Sequence, residues 1–373
     1  MFFALHLKVN IFLLGTDIEH MPKAKAPIYQ FIIAAAVGGA LTYYVFEKGI
    51  GNKQELSVQT ANGQTDGQTL SANATTSNTK IPNCDYNMKM RNGFNHVKPL
   101  LYSEQDCESA NMIPIKEEIS SLIGGKISSG LISSASVYIR NLKNGDWTSY
   151  NEGETYHPAS LNKVAVMITY LHASESSAGL LDKKLLFESH DNNISYQSYS
   201  TKTIQPGKSY TVKELLHYMI AYSDNESTIL LLKHIDPEFH FKTFTDLGLP
   251  KPTSMVGSSA LTAKDFSVFM KVLYNATYLS PAGSEFCSDL LTECEFKDGL
   301  MKGLPANISI AHKFGEFSDG KTYELHESGI VYNGDNSYII TVMTKGPERK
   351  NLTDVIGEIS SLVYNSMSNK KPN

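Results

Sequence analysis

From Ile28 to Phe46 the chain reads IYQFIIAAAVGGALTYYVF, an apolar run without a charged residue. It is long enough to cross a bilayer as one helix and has no polar face to mark it as a globular one. Residues 47–82 then turn to Gln, Thr, Ser, Asn and Gly with few large apolar positions. Such a pattern cannot bury enough surface to offset its ordering entropy, and it predicts a disordered tether. Patterned sequence begins near residue 83. Pro114 to Ile123 has the spacing of a short amphipathic helix, while SVYIRN (136–141) and WTSYN (147–151) flank Asn144-Gly145, a hairpin signal. The run YHPASLNKVAVMITYL (156–171) predicts a buried helix with a polar start. Helical stretches follow over 177–187, 211–222, 225–235, 262–275 and 281–293. ISIAHKFGEF (308–317), ELHESGIVYN (324–333) and SYIITVMTKG (337–346) read as three strands, and 351–367 as a closing amphipathic helix. Strands, a block of helices, strands again and a helix make an α+β pattern rather than an alternating βαβ one.

Charge and composition remove several classes of function. The 373 residues carry a net charge of −5, with no block of Lys and Arg, so no nucleic-acid footprint is expected. Lys23 and Lys25 precede the apolar run, and the positive-inside bias favours a cytoplasmic N-terminus with the remainder exported. A cleaved signal peptide is the rival reading, though the run is longer than a usual h-region. Residues 1–20 read as an upstream extension, with Met21 the working start. Cys84 and Cys107 have the option of pairing in an oxidising compartment. Cys287 and Cys294 lie seven apart in a helix-like stretch, about 10 Å along the axis, beyond disulfide reach, and read as packing residues. The eleven histidines include no H-E-x-x-H, and there is no G-x-x-x-x-G-K-[ST] loop. No metal and no cofactor is expected, and His157, His217 and His312 read as structural.

The start of the 156–171 helix is chemically unusual. Ser160 and Lys163 form an S-x-x-K that opens an apolar helix after Pro158-Ala159. Residues three apart share a helical face, so the lysine reaches the serine. Burial among Val164, Val166 and Met167 lowers a lysine's pKa and makes it a base. An N-cap serine beside a snorkelling lysine is the plainer alternative. Two later stretches bear on the choice: Ser223-Asp224-Asn225 between helical segments, and Lys313 with Gly315 on a predicted strand. In this order, the three signatures are those of class A β-lactamases and penicillin-binding proteins.

On TYHPASLNKVAVM, LLHYMIAYSDNESTILLL, IAHKFGE and HESGIVY, residues 114–367 resemble the class A β-lactamase-like serine hydrolases, penicillin-recognising acyl-serine enzymes. The resemblance implies a mainly antiparallel sheet flanked by helices beside an all-helical subdomain, with the site between them. It implies Ser160 as nucleophile, Lys163 as its proton acceptor, Ser223 as proton donor to the departing nitrogen and Lys313 as the positive field. Asn225 would hold a substrate amide and Asp224 would fix the loop. The backbone N–H groups of Ser160 and Glu316 would form the oxyanion hole, and Gly315 would let the substrate backbone lie close to the strand. The expected domains are a cytoplasmic segment 1–27, a transmembrane anchor 28–46, a tether 47–82 and a hydrolase domain 83–370, extracytoplasmic and held to the membrane by one helix. The expected substrates are a β-lactam or a peptidoglycan-type D-amino-acid amide.

Two departures from the family pattern matter. Phe314 stands where the family has Thr or Ser, whose hydroxyl helps bind a substrate carboxylate; Lys313 and Ser318 are the candidates to compensate. The stretch 247–266 contains no Glu, where the family carries the base that activates the deacylating water. Glu226 and Glu238 are near in sequence but not in a matching context. A slow-deacylating D,D-peptidase-like enzyme and a non-catalytic wall-peptide-binding module are the alternatives these departures raise.

Overall fold

The computed structural model describes residues 84–190, 199, 201–255 and 259–368. The chain divides into two units at Thr79/Lys80, and all described residues belong to the second. The segments 1–27, 28–46 and 47–82 therefore lie outside the described residues. Among the described residues no helix is long and apolar enough to cross a membrane.

The folded part opens with a hairpin, β1 (Tyr86–Met90) and β2 (Leu100–Gln105), followed by α1 (Ile113–Ser128). Strands β3 (Ser134–Asn141) and β4 (Trp147–Tyr150) form the next hairpin, and a 3₁₀ turn, Ala159–Asn162, leads into α2 (Lys163–Ser174). A small ribbon, β5 (Lys184–Phe187) and β6 (Lys208–Thr211), precedes five helices. These are α3 (Val212–Ala221), α4 (Asn225–Leu232), α5 (Pro237–Asp246), α6 (Ala263–Tyr274) and α7 (Pro281–Thr292). Strands β7 (Ser309–Ser318), β8 (Tyr323–Tyr332) and β9 (Tyr338–Gly346) and the helix α8 (Arg349–Ser368) complete the chain.

Five strands make one antiparallel sheet in the order β4-β3-β9-β8-β7, with β7 at an edge. The two-residue period of the strands sorts the core into two layers. Tyr338, Ile340 and Val342 join Ile115, Ile119 and Ile123 of α1 and Val355, Ile356, Ile359 and Val363 of α8. Ile339 and Met343 face the opposite way, into a core shared with α2, α3 and α6. The expected α+β architecture is thus present, with two helices on one face of the sheet and the helical block on the other.

One predicted helix is absent. Residues 177–187 turn at Gly179, whose φ is +79°, and then run as β5 against β6. Leu185 and Phe187 are buried while Lys184 and Leu186 are exposed, so a strand's alternation governs a segment whose leucines also fit a helical spacing. The helix α5 escaped the sequence reading, although Asp236 caps it and Pro237 opens it, a recognised start signal.

Ahead of α1, the β1–β2 hairpin is fastened in several ways. Cys84 and Cys107 are joined by a disulfide. Arg91 donates to the Tyr278 carbonyl at 3.1 Å, Tyr102 to Leu247 O at 3.2 Å and the Trp147 indole to Gln105 O at 3.0 Å. Glu104 meets Lys271 at 3.0 Å, with that lysine 1 % exposed. Burial pushes the Lys271 ammonium down to about 8 against the pull of Glu104. Glu104→Ala therefore strands a buried cation, and urea unfolding is expected to show a loss of about 3–5 kcal/mol, as for a broken buried pair. Glu104→Leu combined with Lys271→Met is expected to recover most of it; a single-variant cost below about 1 kcal/mol, the range of surface pairs, would contradict this role.

Candidate active site

Backbone geometry delivers the site's groups from three places. The first is the 3₁₀ turn Ala159–Asn162, which carries half-buried Ser160 and passes directly into α2. The sequence reading had Ser160 open the α-helix; it sits in the tighter turn before it, and Lys163 is the first α-helical residue. Ala159 has φ +48°, a left-handed conformation that costs a non-glycine residue about 1–2 kcal/mol. The second is the break between α3 and α4, where Ser223 takes φ +56°. Asp224 then caps α4 by accepting from the N–H groups of Glu226 and Ser227, and accepts from Thr203 Oγ1 at 2.7 Å. The third is the edge strand β7.

Lys163 and Lys313 converge on the Ser223 hydroxyl, while among the described residues no hydrogen bond joins Ser160 to either lysine. Ser223 Oγ lies 3.2 Å from Lys163 Nζ and 2.9 Å from Lys313 Nζ. Lys163 also donates to the Ser223 carbonyl and, at 2.8 Å, to Asn225 Oδ1. Lys313 donates in addition to Phe314 O at 3.1 Å. Both lysines are buried, Lys163 at 4 % exposure and Lys313 at 0 %. Desolvation holds Lys163 well below the usual lysine range, and the neighbouring Lys313 charge lowers it further. Lys313 is also pulled down by burial, to about 8, while Cys294, Glu327 and Glu316 oppose the fall. Both groups are thus pushed down from the ordinary lysine range, Lys163 with the added repulsion of its neighbour. With Lys163 neutral, its two N–H groups serve the Ser223 carbonyl and Asn225 Oδ1, leaving the lone pair for a hydroxyl proton. Asn225 keeps its amide N–H groups for a ligand.

The serine turn and the strand touch through backbone. A Cβ placed on Gly315 would stand 2.5 Å from Pro158 O, 2.8 Å from Leu161 N and 3.1 Å from Ser160 N. The glycine is needed within the protein itself, to let β7 approach the turn, before any substrate is considered. Glu316 follows on the same strand, its side chain paired with Arg349 at 2.9 Å.

Phe314 packs into the α1/α8 layer with its ring beneath the Lys313 ammonium, 4.0 Å from Nζ to the ring centre. Its ring stacks on Phe296 at 4.3 Å and meets the edge of Tyr199 at 5.1 Å. Ser318, the other candidate for carboxylate binding, is exposed and accepts from the Gly320 N–H in the β7–β8 turn. Glu226 pairs with His190 at 2.9 Å, and Glu238 lies on the exposed first turn of α5, 3.1 Å from Lys251. The 247–266 stretch bridges Leu261 to Tyr156 and supplies the Thr262–Asp265 capping box of α6; its residues 256–258 lie outside the described ones. His157 stacks on Phe317, His217 pairs with Glu293, and His312 with Glu327. No cluster of metal-binding side chains occurs among the described residues.

Sequence reasoning missed Phe296 and Arg349 beside the cluster, and read Cys294 only as a packing residue and Tyr199 only as one of five tyrosines of which one would line the cleft. Cys294 is buried near Lys313, and Tyr199, Phe296 and Arg349 lie around Phe314 and Glu316. None belongs to a local motif, so only the folded chain reveals them.

A serine turn at the head of an apolar helix, two buried lysines on a second serine and the edge of an antiparallel sheet are the arrangement of β-lactamase-like serine hydrolases. The model of the beta-lactamase enzyme family matches residues 114–367, and the chain belongs to that family. Among solved structures it is similar to PBP-A, seen as a mutant's acyl-enzyme complex with penicillin G, at 20 % identity and TM-score 0.57 over 69 % of this chain and 97 % of that one. A β-lactamase from Sphaerobacter thermophilus DSM 20745 gives 16 % identity and TM-score 0.59 over 69 % and 99 % of the two chains. A class A β-lactamase from Mycobacterium abscessus gives 18 % and 0.57 over 68 % and 99 %. No curated protein sequence matches significantly.

Gly315→Ala is expected to force the Pro158–Leu161 turn off β7, and urea denaturation should register about 1–3 kcal/mol, the usual cost of overpacking. A variant as stable as the parent would show that the turn yields freely.

Proposed function

We propose that the chain is a membrane-anchored, extracytoplasmic serine hydrolase that forms an acyl-enzyme at Ser160 with a β-lactam or a D-amino-acid amide of wall peptide. The observation that carries this reading is Ser223 Oγ held by two buried lysines, one driven toward neutrality and the other still charged at neutral pH. Ser160 Oγ attacks the carbonyl carbon and its proton passes to Lys163. The C–N bond then breaks, and the nitrogen takes a proton through Ser223, beside the Lys313 ammonium. The N–H groups of Ser160 and Glu316 receive the developing oxyanion, as the close approach of turn and strand supports. Asn225 presents its free amide N–H groups to a substrate carbonyl. Water completes hydrolysis in a second step.

The second step is the weak one. No Glu occurs in 247–266, and Glu226 and Glu238 are paired elsewhere. This favours slow deacylation and a peptidase-like enzyme over a fast β-lactamase. Phe314 leaves carboxylate binding to Lys313 alone. The anchor rests on the uncharged run 28–46.

Intact-mass spectra with penicillin G, a probe suggested by the PBP-A acyl-enzyme, are expected to show a persistent adduct that Ser160→Ala lacks. Drug loss without an accumulating adduct would mean a fast β-lactamase. No adduct and no drug loss would move the non-catalytic module to the front. The acylation rate is expected to fall as pH rises through about 8, where Lys313 gives up its proton and with it the positive field. A rate that keeps rising past pH 9 would remove Lys313 from that role.

A further inference from the structure

The serine turn is fastened to the sheet at a second point, one strand further in than Gly315. Glu324 lies at the start of β8, beside the β7–β8 turn, yet it is only 7 % exposed. Its Oε2 accepts the backbone N–H of His157 at 2.9 Å, three residues ahead of Ser160. Register explains the reach. Glu324 pairs with Phe317 on β7, and His326 pairs with Gly315; residues directly opposite in an antiparallel ladder share a face. Both side chains therefore stand on the face over which the turn lies. The His157 ring stacks on Phe317 at 4.7 Å, so the residue that enters the turn is held by its backbone to β8 and by its side chain to β7.

Two further groups fix the carboxylate. Lys345 on β9 is 3.2 Å from Oε1, and His326 Nε2 stands 3.4 Å from Oε2 without a formed hydrogen bond. His326 is fully buried, and its Nδ1 accepts the Thr344 N–H at 3.2 Å. A neutral imidazole that accepts at Nδ1 carries its proton on Nε2, the atom nearer Glu324. Burial holds the ring below the ordinary histidine range and so keeps it neutral. Burial also opposes ionisation of Glu324, but the His326 ring, the His157 N–H and Lys345 outweigh it and hold the carboxyl down at about 2. Tyr156 closes the arrangement from the turn side. It meets the His326 ring edge-on at 5.2 Å, and its hydroxyl lies 3.1 Å from both Ser134 and Ser136.

We propose that Glu324 is a positioning residue for acylation at Ser160: its carboxylate sets where the serine turn sits along β7. Gly315 fixes how closely turn and strand approach, and Glu324 stops the turn from sliding over that contact. Little slack separates the anchor from the nucleophile, because Pro158 has its φ locked by its ring and Ala159 is held left-handed. The inference rests on the acyl-enzyme reading for its kinetic consequence alone; the placement of the turn is a property of the fold. Misplacing a reacting group by about 1 Å costs on the order of a hundredfold in rate.

The test compares Glu324→Gln, Glu324→Asp and Glu324→Ala in the full chain. The carboxamide keeps an acceptor at full reach and loses the charge, whereas aspartate keeps the charge and loses the reach. Amide hydrogen exchange over 157–161 is expected to quicken roughly tenfold in the Asp and Ala variants, as for one lost hydrogen bond to a charged group, and to stay near the parent in Gln. The acylation rate at saturating penicillin G is expected to fall roughly tenfold in the same two variants, with the half-saturating concentration little changed. The reverse ranking, Asp near the parent and Gln slow, would reduce Glu324 to a counter-charge for Lys345 and His326 and overturn the proposal. Unchanged exchange in Glu324→Ala would overturn it as well, and so would faster exchange with an unaltered acylation rate. Should the Ala variant fail to fold, the Gln and Asp ranking decides. If the parent itself takes no acyl group, the hydrolase reading fails, and the exchange ranking alone decides whether Glu324 places the turn.

Discussion

The site depends on one electrostatic constraint: burial drives both lysines at the Ser223 hydroxyl toward the neutral form, and the Lys313 charge lowers Lys163 further. Desolvation alone penalises each, and their proximity adds repulsion. Lys163 is held well below the usual lysine range, burial and the Lys313 charge outweighing the opposing pull of Asp224. Lys313 keeps its proton longer, with Glu327, Glu316 and the Cys294 thiol in its surroundings. The same constraint explains the strain at Ser223. Holding a serine at φ +56° between two helices presents its carbonyl to one lysine and its hydroxyl to both. The capping bonds of Asp224 fix that conformation from the far side.

Behind the cluster, β7 works as a two-sided part. Its odd positions, Lys313 and Gly315, face the serine turn and the helical block, and its even positions, His312 and Phe314, face α1 and α8. Glu327 and His312 meet in a wholly buried hydrogen bond at 2.6 Å, and Glu327 also accepts the Leu300 N–H at 2.7 Å. A side chain at Gly299 would overlap that carboxylate, its Cβ lying 1.9 Å from Oε2. Strand position is therefore set by backbone contact on one face and by a buried hydrogen-bonded pair on the other. A small displacement of either would move Lys313 relative to Ser223.

Much of this was legible in the chain. Two-residue alternation marked β3, β4, β7, β8 and β9, and the apolar run after Ser160 marked α2, because burial on one or both sides dictates those patterns. The lysine cluster was legible through spacing, since S-x-x-K, SDN and a Lys-x-Gly strand carry short-range geometry. What stayed hidden depends on partners distant in sequence. LLDKKLLF fits either period until β6 supplies a strand to pair with. Phe314 read as a lost hydroxyl, and only the stack with Phe296 and Tyr199 shows what its ring does instead. Gly315 read as room for substrate, whereas its tightest neighbour is Pro158 O.

In the proposed reaction, the two halves of an acyl-transfer cycle are built from different materials. The acylating set lies where sheet, turn and helices meet, so its positions are fixed by the same contacts that hold the fold. Removing one lysine would leave the Ser223 hydroxyl and a buried pocket to be satisfied some other way. The 247–266 stretch is under no such demand. Its described part supplies the Tyr156–Leu261 bridge and the α6 capping box, and connecting loops tolerate change more readily than the elements they join. A base for water activation can therefore be missing from that loop without disturbing Ser160, Lys163, Ser223 or Lys313. The proposed acylating set beside a loop that lacks a deacylating carboxylate is a physically consistent arrangement, and under that proposal it favours a long-lived covalent intermediate over rapid turnover.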